Sequence, residues 1–212
     1  MIELQNLYIK FDDKYYDLYN INLKVNKDEK ICLLGDSVSG NDLLIRCLLN
    51  LEFHSGKILI ENQILNNKTK KIYRSGFAYL SKNGIFFEDK TVLENMLYIY
   101  KIRKKNIEED KIYKQLKYYE IDHLANKKVS LLTKRERVLL SLARLSLRKF
   151  DIFLSENVFS GLTEKDKGCI LKHIKKIVNT TNTVIIALDD ISLSNEMGLT
   201  NIQMKFGSII NK

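Results

Sequence analysis

The chain contains no proline in its 212 residues and only three cysteines. The cysteines lie far apart, each among apolar neighbours, so they match neither a disulfide framework nor a metal-ligand spacing. They are Cys32, Cys47 and Cys169. The missing proline accompanies heavy use of Lys, Asn and Ile, which indicates a bias in base composition rather than a function. Because the cysteines form no disulfide pattern, we expect a reducing, cytosolic compartment.

Long apolar runs are also missing. No stretch approaches the ~18 apolar residues of a membrane-spanning helix, and the amino terminus lacks the basic region and apolar run of a secretory signal. A hydrophobic content of 45% and a charged content of 29% are those of an ordinary globular protein. We expect a folded protein that reaches any membrane through a partner.

Acidic residues number 26 against 35 basic ones, which gives a formal net charge of +9. Such a charge is compatible with nucleic acid, an anionic membrane surface or solubility alone. The basic residues occur in short separate runs, which are typical of solvated faces. A nucleic-acid-binding module, favoured also by tyrosines beside lysines at 111–119, remains the weaker alternative because no groove-reading motif accompanies the charge.

The apolar pattern predicts an α/β fold. Residues 1–30 alternate apolar and polar side chains, which predicts paired antiparallel strands with a turn at 12–14. Later strands are apolar and alternate with helices, which predicts a mainly parallel sheet. These strands are expected at 31–34, 57–60, 77–80, 151–154 and 183–187, and helices at 43–51, 139–147 and 164–178. Helical spacings at 91–131 predict a helical subdomain inserted in the sheet core.

Residues 31–44 have the outline of a phosphate-binding loop. A buried strand, a Gly/Ser loop and a helix follow one another, and Gly35 and Gly40 have the spacing of G-x-x-x-x-G-K-[ST]. The next two positions should hold a lysine for the phosphates and a hydroxyl for magnesium, but they hold Asn41 and Asp42. At an effective dielectric near 20, a unit charge pair at 4 Å is worth about 4 kcal/mol. The lost ammonium and the added carboxylate therefore both disfavour bound phosphate.

We call residues 35–42 the phosphate loop; its members are Gly35, Asp36, Ser37, Val38, Ser39, Gly40, Asn41 and Asp42. Its backbone N–H groups could still attract an anion, and Asp42 could hold a metal ion directly. The favoured interpretation is a strand-loop-helix corner that keeps only its shape.

Further landmarks follow in a fixed order: Ser55-Gly56, residues 91–95, Ala143-Arg144, residues 159–162, and residues 183–186 before an Asp-Asp pair. Over residues 1–210 this order resembles the ATP-binding cassette (ABC) domains of membrane transporters. The resemblance implies a P-loop NTPase (RecA-like) core with an N-terminal antiparallel β subdomain. It also implies one domain over 1–212, with the core at 1–90 and 136–212 and the helical subdomain at 91–135.

The resemblance also assigns functional positions, most of which carry an altered residue. Phe11 takes the place of the adenine-stacking aromatic, Lys82 that of a glutamine, and Asp189 that of the switch histidine. Val38 replaces a glycine of the phosphate loop, which questions whether the loop can close around phosphate. The signature segment is Leu132, Thr133, Lys134, Arg135 and Glu136, in which two glycines have become Lys134 and Arg135.

The second acidic motif aligns with Glu156 at the magnesium-associated position and Asn157 at the position of the catalytic Glu. A neutral amide cannot accept a proton from the attacking water. Shifting the register by one residue would make Ser155 and Glu156 the pair and restore a base, at the cost of the match downstream. Asp42 and Glu156 are the candidate metal ligands.

The resemblance thus implies a degenerate, non-hydrolysing cassette that couples to or regulates a membrane transporter subunit or an active homologous ATPase. ATP and magnesium are the family's cofactors, and the altered positions disfavour their binding. The expected partners are a transmembrane subunit docking at residues 82–95 and a second cassette, in a homodimer or heterodimer, at the cytoplasmic face of the membrane. The alternative is a rewired ATPase that binds Mg-ATP through Asp42 and Glu156.

Overall fold

A computed structural model describes residues 1–10, 16–102 and 109–211. The first half of the chain forms β1 (Ile2–Lys10), β2 (Tyr16–Val25), β3 (Lys30–Leu34), α1 (Asn41–Leu48), β4 (Ser55–Ile60), β5 (Gln63–Ile64), α2 (Lys70–Arg74), β6 (Phe77–Leu80) and α3 (Val92–Ile102). The second half forms α4 (Glu109–Tyr118), α5 (Lys134–Leu145), β7 (Ile152–Ser155), α6 (Glu164–Thr180), β8 (Thr183–Leu188), α7 (Ile191–Glu196), β9 (Thr200–Lys205) and β10 (Ser208–Asn211). Short 3₁₀ helices lie at Asp122–Leu124 and Val129–Leu131.

The strands form two sheets. An antiparallel sheet has the order β2-β1-β4-β5, and a central sheet has the order β10-β9-β3-β8-β7-β6. All pairings among β9, β3, β8, β7 and β6 are parallel, and only β10 runs antiparallel at one edge. Among the described residues, no helix is long and apolar enough to cross a membrane.

The predicted α/β fold is confirmed, and the five strands expected after residue 30 lie within two residues of their predicted bounds. Four of them belong to the parallel part of the central sheet, whereas the strand expected at 57–60 is β4 of the antiparallel sheet, because it pairs with β1 and β5. The helix predicted at 139–147 instead begins at Lys134, because Thr133 caps it with its side chain. The helix predicted at 43–51 begins at Asn41 and ends at Leu48. Four short elements that no pattern predicted, β5, α2, α7 and β10, and the alternating strand β9 complete the fold. The predicted turn at 12–14 lies outside the described residues.

Two hydrophobic cores lie on opposite faces of the central sheet. On one face α1 and the antiparallel sheet bury Ile31 and Leu33 of β3, and on the other the helices from α3 to α7 bury Cys32. Neighbouring residues point to opposite faces, as in any strand. All six residues of β8 are buried, as expected for a parallel strand covered on both faces. The segment predicted as a helical subdomain contains α3, α4 and the 3₁₀ helices, and its division from the core remains a prediction.

Candidate functional site

The loops that follow β3, β6, β7 and β8 meet at one edge of the central sheet, because parallel strands end on the same side. In open α/β sheets, ligands bind at this edge. Here the loops bring Asn41, Asp42, Lys82, Glu156 and Asn157 into one cluster connected by hydrogen bonds and ion pairs. The candidate site is therefore assembled from residues that lie more than 100 positions apart in the sequence.

The phosphate loop closes on its own atoms. The hydroxyl and the backbone N–H of Ser39 donate to the carbonyl of Asp36, at 2.7 and 3.1 Å, and the Val38 N–H donates to the Asp36 carboxylate at 3.1 Å. The side chain of Val38 is 63% exposed, so the residue that replaces glycine points into solvent. Gly40, with φ of 83°, makes the left-handed turn into α1.

Asn41 begins α1, and its side chain turns inward. The residue is 4% exposed, and its amide nitrogen lies 3.2, 3.0 and 3.1 Å from the carbonyl oxygens of Leu33, Gly35 and Leu188. The amide oxygen accepts the N–H of Asp42 at 2.7 Å. Two amide hydrogens are thus shared among three carbonyls, which joins the ends of β3 and β8 to the phosphate loop.

Asp42 points towards the loop after β7. Its Oδ1 accepts the backbone N–H of Asn157 at 2.7 Å, and its Oδ2 lies 3.8 Å from the Lys82 ammonium. Burial raises the pKa of Asp42 above its ordinary value, and the nearby charge of Glu156 also raises it. The hydrogen bond from Asn157, Lys82 and Arg46 lower it in part.

Glu156 is 6% exposed, and donors of the same chain occupy both of its oxygens. Oε1 accepts a hydrogen bond from the Tyr79 hydroxyl at 2.6 Å and lies 3.5 Å from the Arg46 guanidinium. Oε2 accepts one from the backbone N–H of Lys82 at 2.7 Å. Burial and the neighbouring carboxylate raise the pKa of Tyr79 strongly, so its hydroxyl remains a donor. Arg46 also pairs with Glu52 at 2.6 Å.

Asn157 is 5% exposed, and its amide oxygen has no hydrogen-bond partner within the described chain. Its backbone N–H holds Asp42, so the residue joins β7 to α1 through its main chain. In the alternative register Ser155 and Glu156 are the pair. The Ser155 hydroxyl donates to the Glu156 carbonyl at 2.8 Å, and the Glu156 carboxylate is occupied as described above.

The sequence model of the ABC transporter family matches residues 18–160. The chain belongs to this family. The probable ABC transporter ATP-binding protein PEB1C of Campylobacter jejuni is 29% identical to it, over all of this cassette and 90% of that protein. The phosphonates import ATP-binding protein PhnC of Fusobacterium nucleatum is 28% identical, over 99% of this cassette and 90% of that protein.

Solved cassettes share the fold. The dimeric cassette MJ0796, in a post-hydrolysis state bound to ADP and Pi, superposes with a TM-score of 0.84 at 22% identity, covering 99% of this chain and 96% of that one. CbiO1 from Clostridium perfringens, part of the ABC transporter complex cbiONQ, superposes with a TM-score of 0.76 at 19% identity, over 99% and 86% of the two chains. At these identities the likeness shows the fold alone.

ABC cassettes in general bind ATP with magnesium, so the residues of this cassette can be compared with that requirement. Magnesium needs a nearly octahedral set of oxygens at about 2.0–2.1 Å. Both oxygens of Glu156 and one of Asp42 already accept hydrogen bonds from this chain, and the remaining oxygen of Asp42 faces Lys82. The described residues contain no group of three or more His, Cys, Asp and Glu that could hold a metal ion. Every oxygen of these two carboxylates thus contacts a donor or a cation of the chain itself, so they would fit the ion only after those contacts are displaced.

The side chains of the signature segment, residues 132–136, make contacts with other residues of the same chain. Thr133 and Glu136 form a reciprocal capping box at the start of α5, and Leu132 is buried. The Lys134 ammonium donates to the carbonyl of Ser160, and burial together with the charge of Lys82 lowers its pKa. Arg135 lies 3.5 Å from the carboxylate of Asp166.

The two remaining family positions are Asp189 and Phe11. Asp189 follows β8 and is exposed to solvent. Phe11, the expected adenine-stacking residue, lies outside the described residues.

The expected docking segment, residues 82–95, packs against α5. The Arg137 and Arg144 guanidinium groups lie 5.2 and 5.0 Å from the centre of the Phe86 ring. Arg137 also forms a bidentate pair with Glu88, at 2.8 and 2.6 Å. The Asn95 side chain bonds both the N–H and the carbonyl of Phe87, at 2.9 and 3.0 Å. The segment is therefore a fixed part of the surface.

This fixed segment presents apolar side chains to solvent. Ile85 is 67% exposed and Phe87 45%, and the Phe87 ring packs edge-on against Tyr98 of α3 at 4.2 Å. No sequence pattern assigned a supporting role to Arg46, Tyr79 or Arg137, and Arg144 was identified as a family landmark without its contact to Phe86. The apolar triplet at 85–87 within a polar stretch was the one available signal.

Proposed function

We propose that this chain is a degenerate, non-hydrolysing cassette that couples to or regulates a membrane transporter subunit or an active homologous ATPase. The observation that carries the proposal is the state of the two residues after β7. Asn157 is neutral at the position of the catalytic base, and both oxygens of Glu156 are engaged by Tyr79, Arg46 and Lys82. Neither residue is available to take a proton from an attacking water.

A rewired ATPase has less support. It needs Asp42 or Glu156 to hold magnesium or to act as a base, and both carboxylates are bound to their own chain. Asp42 has one oxygen left, and that oxygen faces the Lys82 ammonium at 3.8 Å. Binding a metal there would displace Lys82 from Asp42.

A nucleic-acid-binding role also has less support. Base stacking on a protein needs an accessible aromatic face. The Tyr118 residue is 46% exposed, but its ring packs against Tyr119 at 4.9 Å and His173 at 5.6 Å, and the ammonium of Lys176 lies 4.8 Å from the ring centre. This tyrosine therefore serves the contact between α4 and α6.

The expected partner is a transmembrane transporter subunit, because the relatives named above are ATP-binding proteins of transporters. Ile85 and Phe87 form an exposed apolar surface on a segment that Arg137 and Asn95 hold in place. A rigid surface loses little conformational entropy on binding, which favours docking. Docking would place the chain at the cytoplasmic face of the membrane, with or without a second cassette.

Two measurements test the proposal. The purified chain should release no phosphate from Mg-ATP above background, in an assay where an active cassette does; hydrolysis that is lost in Glu156→Gln would overturn the non-hydrolysing assignment. The chain should co-purify with a membrane transporter subunit when the two are produced together, and Ile85→Asp and Phe87→Asp should each abolish this association. The control Ile191→Asp changes a similarly exposed residue on α7 and should retain it. Equal retention by all variants would refute docking at this segment.

A further inference from the structure

We infer that the phosphate loop is permanently closed by the chain itself, with the Asn41 amide and the Asp42 carboxylate making contacts that exclude bound phosphate and metal. The inference concerns the same site as the proposed function and goes one step beyond it. A cassette without a catalytic base can still bind nucleotide, as a non-hydrolysing switch. The contacts of this loop indicate that this cassette does not.

The first line of support is the use of the loop's N–H groups. A phosphate-binding loop depends on backbone N–H groups that are free to point at the anion. Here the Val38 N–H donates to the Asp36 carboxylate, and the Ser39 N–H donates to the Asp36 carbonyl, both at 3.1 Å. The Asn41 N–H donates to the Ser39 hydroxyl at 3.4 Å, and the Asp42 N–H to the Asn41 amide oxygen at 2.7 Å. Acceptors of the loop itself thus hold four donors.

The second line of support is the orientation of Asn41. Its amide is buried and shared among three carbonyls from β3, the phosphate loop and β8. An ammonium that served phosphate would have to leave these carbonyls, whereas the amide has no charge that draws it outwards. Buried carbonyls without donors are costly. The inward amide therefore satisfies these three carbonyls with a group of the chain itself.

The third line of support is a brace on the outer side of the loop. The turn between β9 and β10 lies directly on it: the Gly207 N–H donates to the Ser39 carbonyl at 3.1 Å, and the Gly207 carbonyl accepts the Tyr19 N–H at 2.8 Å. A Cβ at Gly40 would lie 2.9 Å from the carbonyl oxygen of Asp17, and one at Gly207 would lie 2.5 Å from it. Such close approach fixes the loop against β2 as well as against β8.

The fourth line of support is the Asp42 carboxylate, the candidate metal ligand of the loop. Asp42 accepts the Asn157 N–H and faces Lys82, so the carboxylate joins α1 to the loops after β7 and β6. A magnesium ion or a phosphate at this place would have to displace Lys82 from Asp42. The loop consequently acts as a structural joint between the two halves of the central sheet.

The test measures ligand binding and stability separately. The melting temperature of the wild-type chain should stay constant in millimolar Mg-ATP, Mg-ADP and inorganic phosphate. The N–H groups of Val38, Ser39 and Asp42 should exchange slowly with solvent, with the same rates with and without nucleotide. A rise in melting temperature with Mg-ATP, or nucleotide-dependent protection of the loop, would overturn the inference. Absence of hydrolysis in the same sample would leave the proposed function standing.

Variants test whether the buried Asn41 amide holds the phosphate loop in place. Asn41→Ala should lower the melting temperature about as much as Asn95→Ala, because Asn95 is equally buried and also donates to three carbonyls. Asn67→Ala, at an exposed position, should change it little. If Asn41→Ala behaved like Asn67→Ala, the inward amide would not hold the loop. If Asn41→Ala did not fold while Asn67→Ala did, the structural role would be supported, and the wild-type titration would still test nucleotide binding.

Discussion

The change Glu156→Gln separates a structural role of this residue from a metal-binding one. The carboxylate receives charge-assisted hydrogen bonds from Tyr79 at 2.6 Å and from the Lys82 N–H at 2.7 Å. Glutamine offers one acceptor oxygen and one amide nitrogen, so one of these donors would meet another donor. Hydrogen bonds to a buried charged group contribute about 1.5–3 kcal/mol each. The more distant Arg46 is partly exposed and paired with Glu52, so its loss adds little.

We therefore expect Glu156→Gln to lower the free energy of unfolding by about 2–3 kcal/mol. In a domain of this size each kcal/mol shifts the melting temperature by about 2–4 °C, so the expected decrease is about 4–12 °C. The assay is thermal and urea unfolding at pH 7, with EDTA and without nucleotide. The conservative change Glu52→Gln, at a partly exposed site, serves as the control and should cost less.

Two outcomes would refute this reasoning. An unchanged melting temperature in EDTA would mean that the Tyr79 and Lys82 contacts do not stabilise the fold. A wild-type chain that magnesium stabilises, with the gain abolished in Glu156→Gln, would identify Glu156 as a metal ligand. The first outcome would exclude a structural role for Glu156, and the second would assign it a metal-binding role.

Three further predictions concern the phosphate loop, the turn at Gly207 and the buried His173. The double change Asn41→Lys with Asp42→Thr restores the family residues yet removes the donors and acceptors that hold the loop. Calorimetry should accordingly detect no Mg-ATP binding, and tight binding would show that only the side-chain chemistry was lost. Gly207→Ala should cost about 1–3 kcal/mol in urea unfolding, because φ is +71° and a Cβ would approach the Asp17 carbonyl to 2.5 Å; an unchanged midpoint would contradict the close packing of this turn. Burial and nearby basic residues lower the pKa of His173, so the folded state favours the neutral ring. Its contribution to stability is present above the unfolded pKa of about 6.5 and is lost as pH falls below it. His173→Gln should lose less stability than wild type between pH 7.5 and 5.5, and parallel curves would exclude the histidine as the cause.

Periodicity predicted the order of the main elements, because the buried strands at 31–34 and 183–187 are continuously apolar. The edge hairpin of β9 and β10 was not predicted: β10 has only four residues, and no element was assigned to the alternation of apolar and polar residues in β9, although such alternation is a strand pattern. That hairpin supplies the turn at Gly207 that braces the phosphate loop. The missing element was therefore one on which the state of the site depends.

The candidate site was predictable as a list of positions and unpredictable as a set of contacts. Glycine spacing identified Asn41 and the family resemblance identified Glu156, but no pattern shows that one amide turns inward or that both oxygens of one carboxylate are occupied. Those facts depend on Arg46 and Tyr79, which are 110 and 77 residues from Glu156 and look like ordinary helix and strand residues. Contacts at such separations follow from strand order and not from local sequence.

The altered positions are matched to one another in their hydrogen bonding. The Asn41 amide oxygen holds the N–H of Asp42, the Asp42 carboxylate holds the N–H of Asn157, and the Glu156 carboxylate holds the N–H of Lys82. Random loss of catalytic residues would leave buried groups unpaired, at a cost of about 1–3 kcal/mol each. In this cluster the amide oxygen of Asn157 alone lacks a partner among the described residues. These matched contacts support the proposed structural or regulatory role, in which the cassette keeps its fold without a ligand.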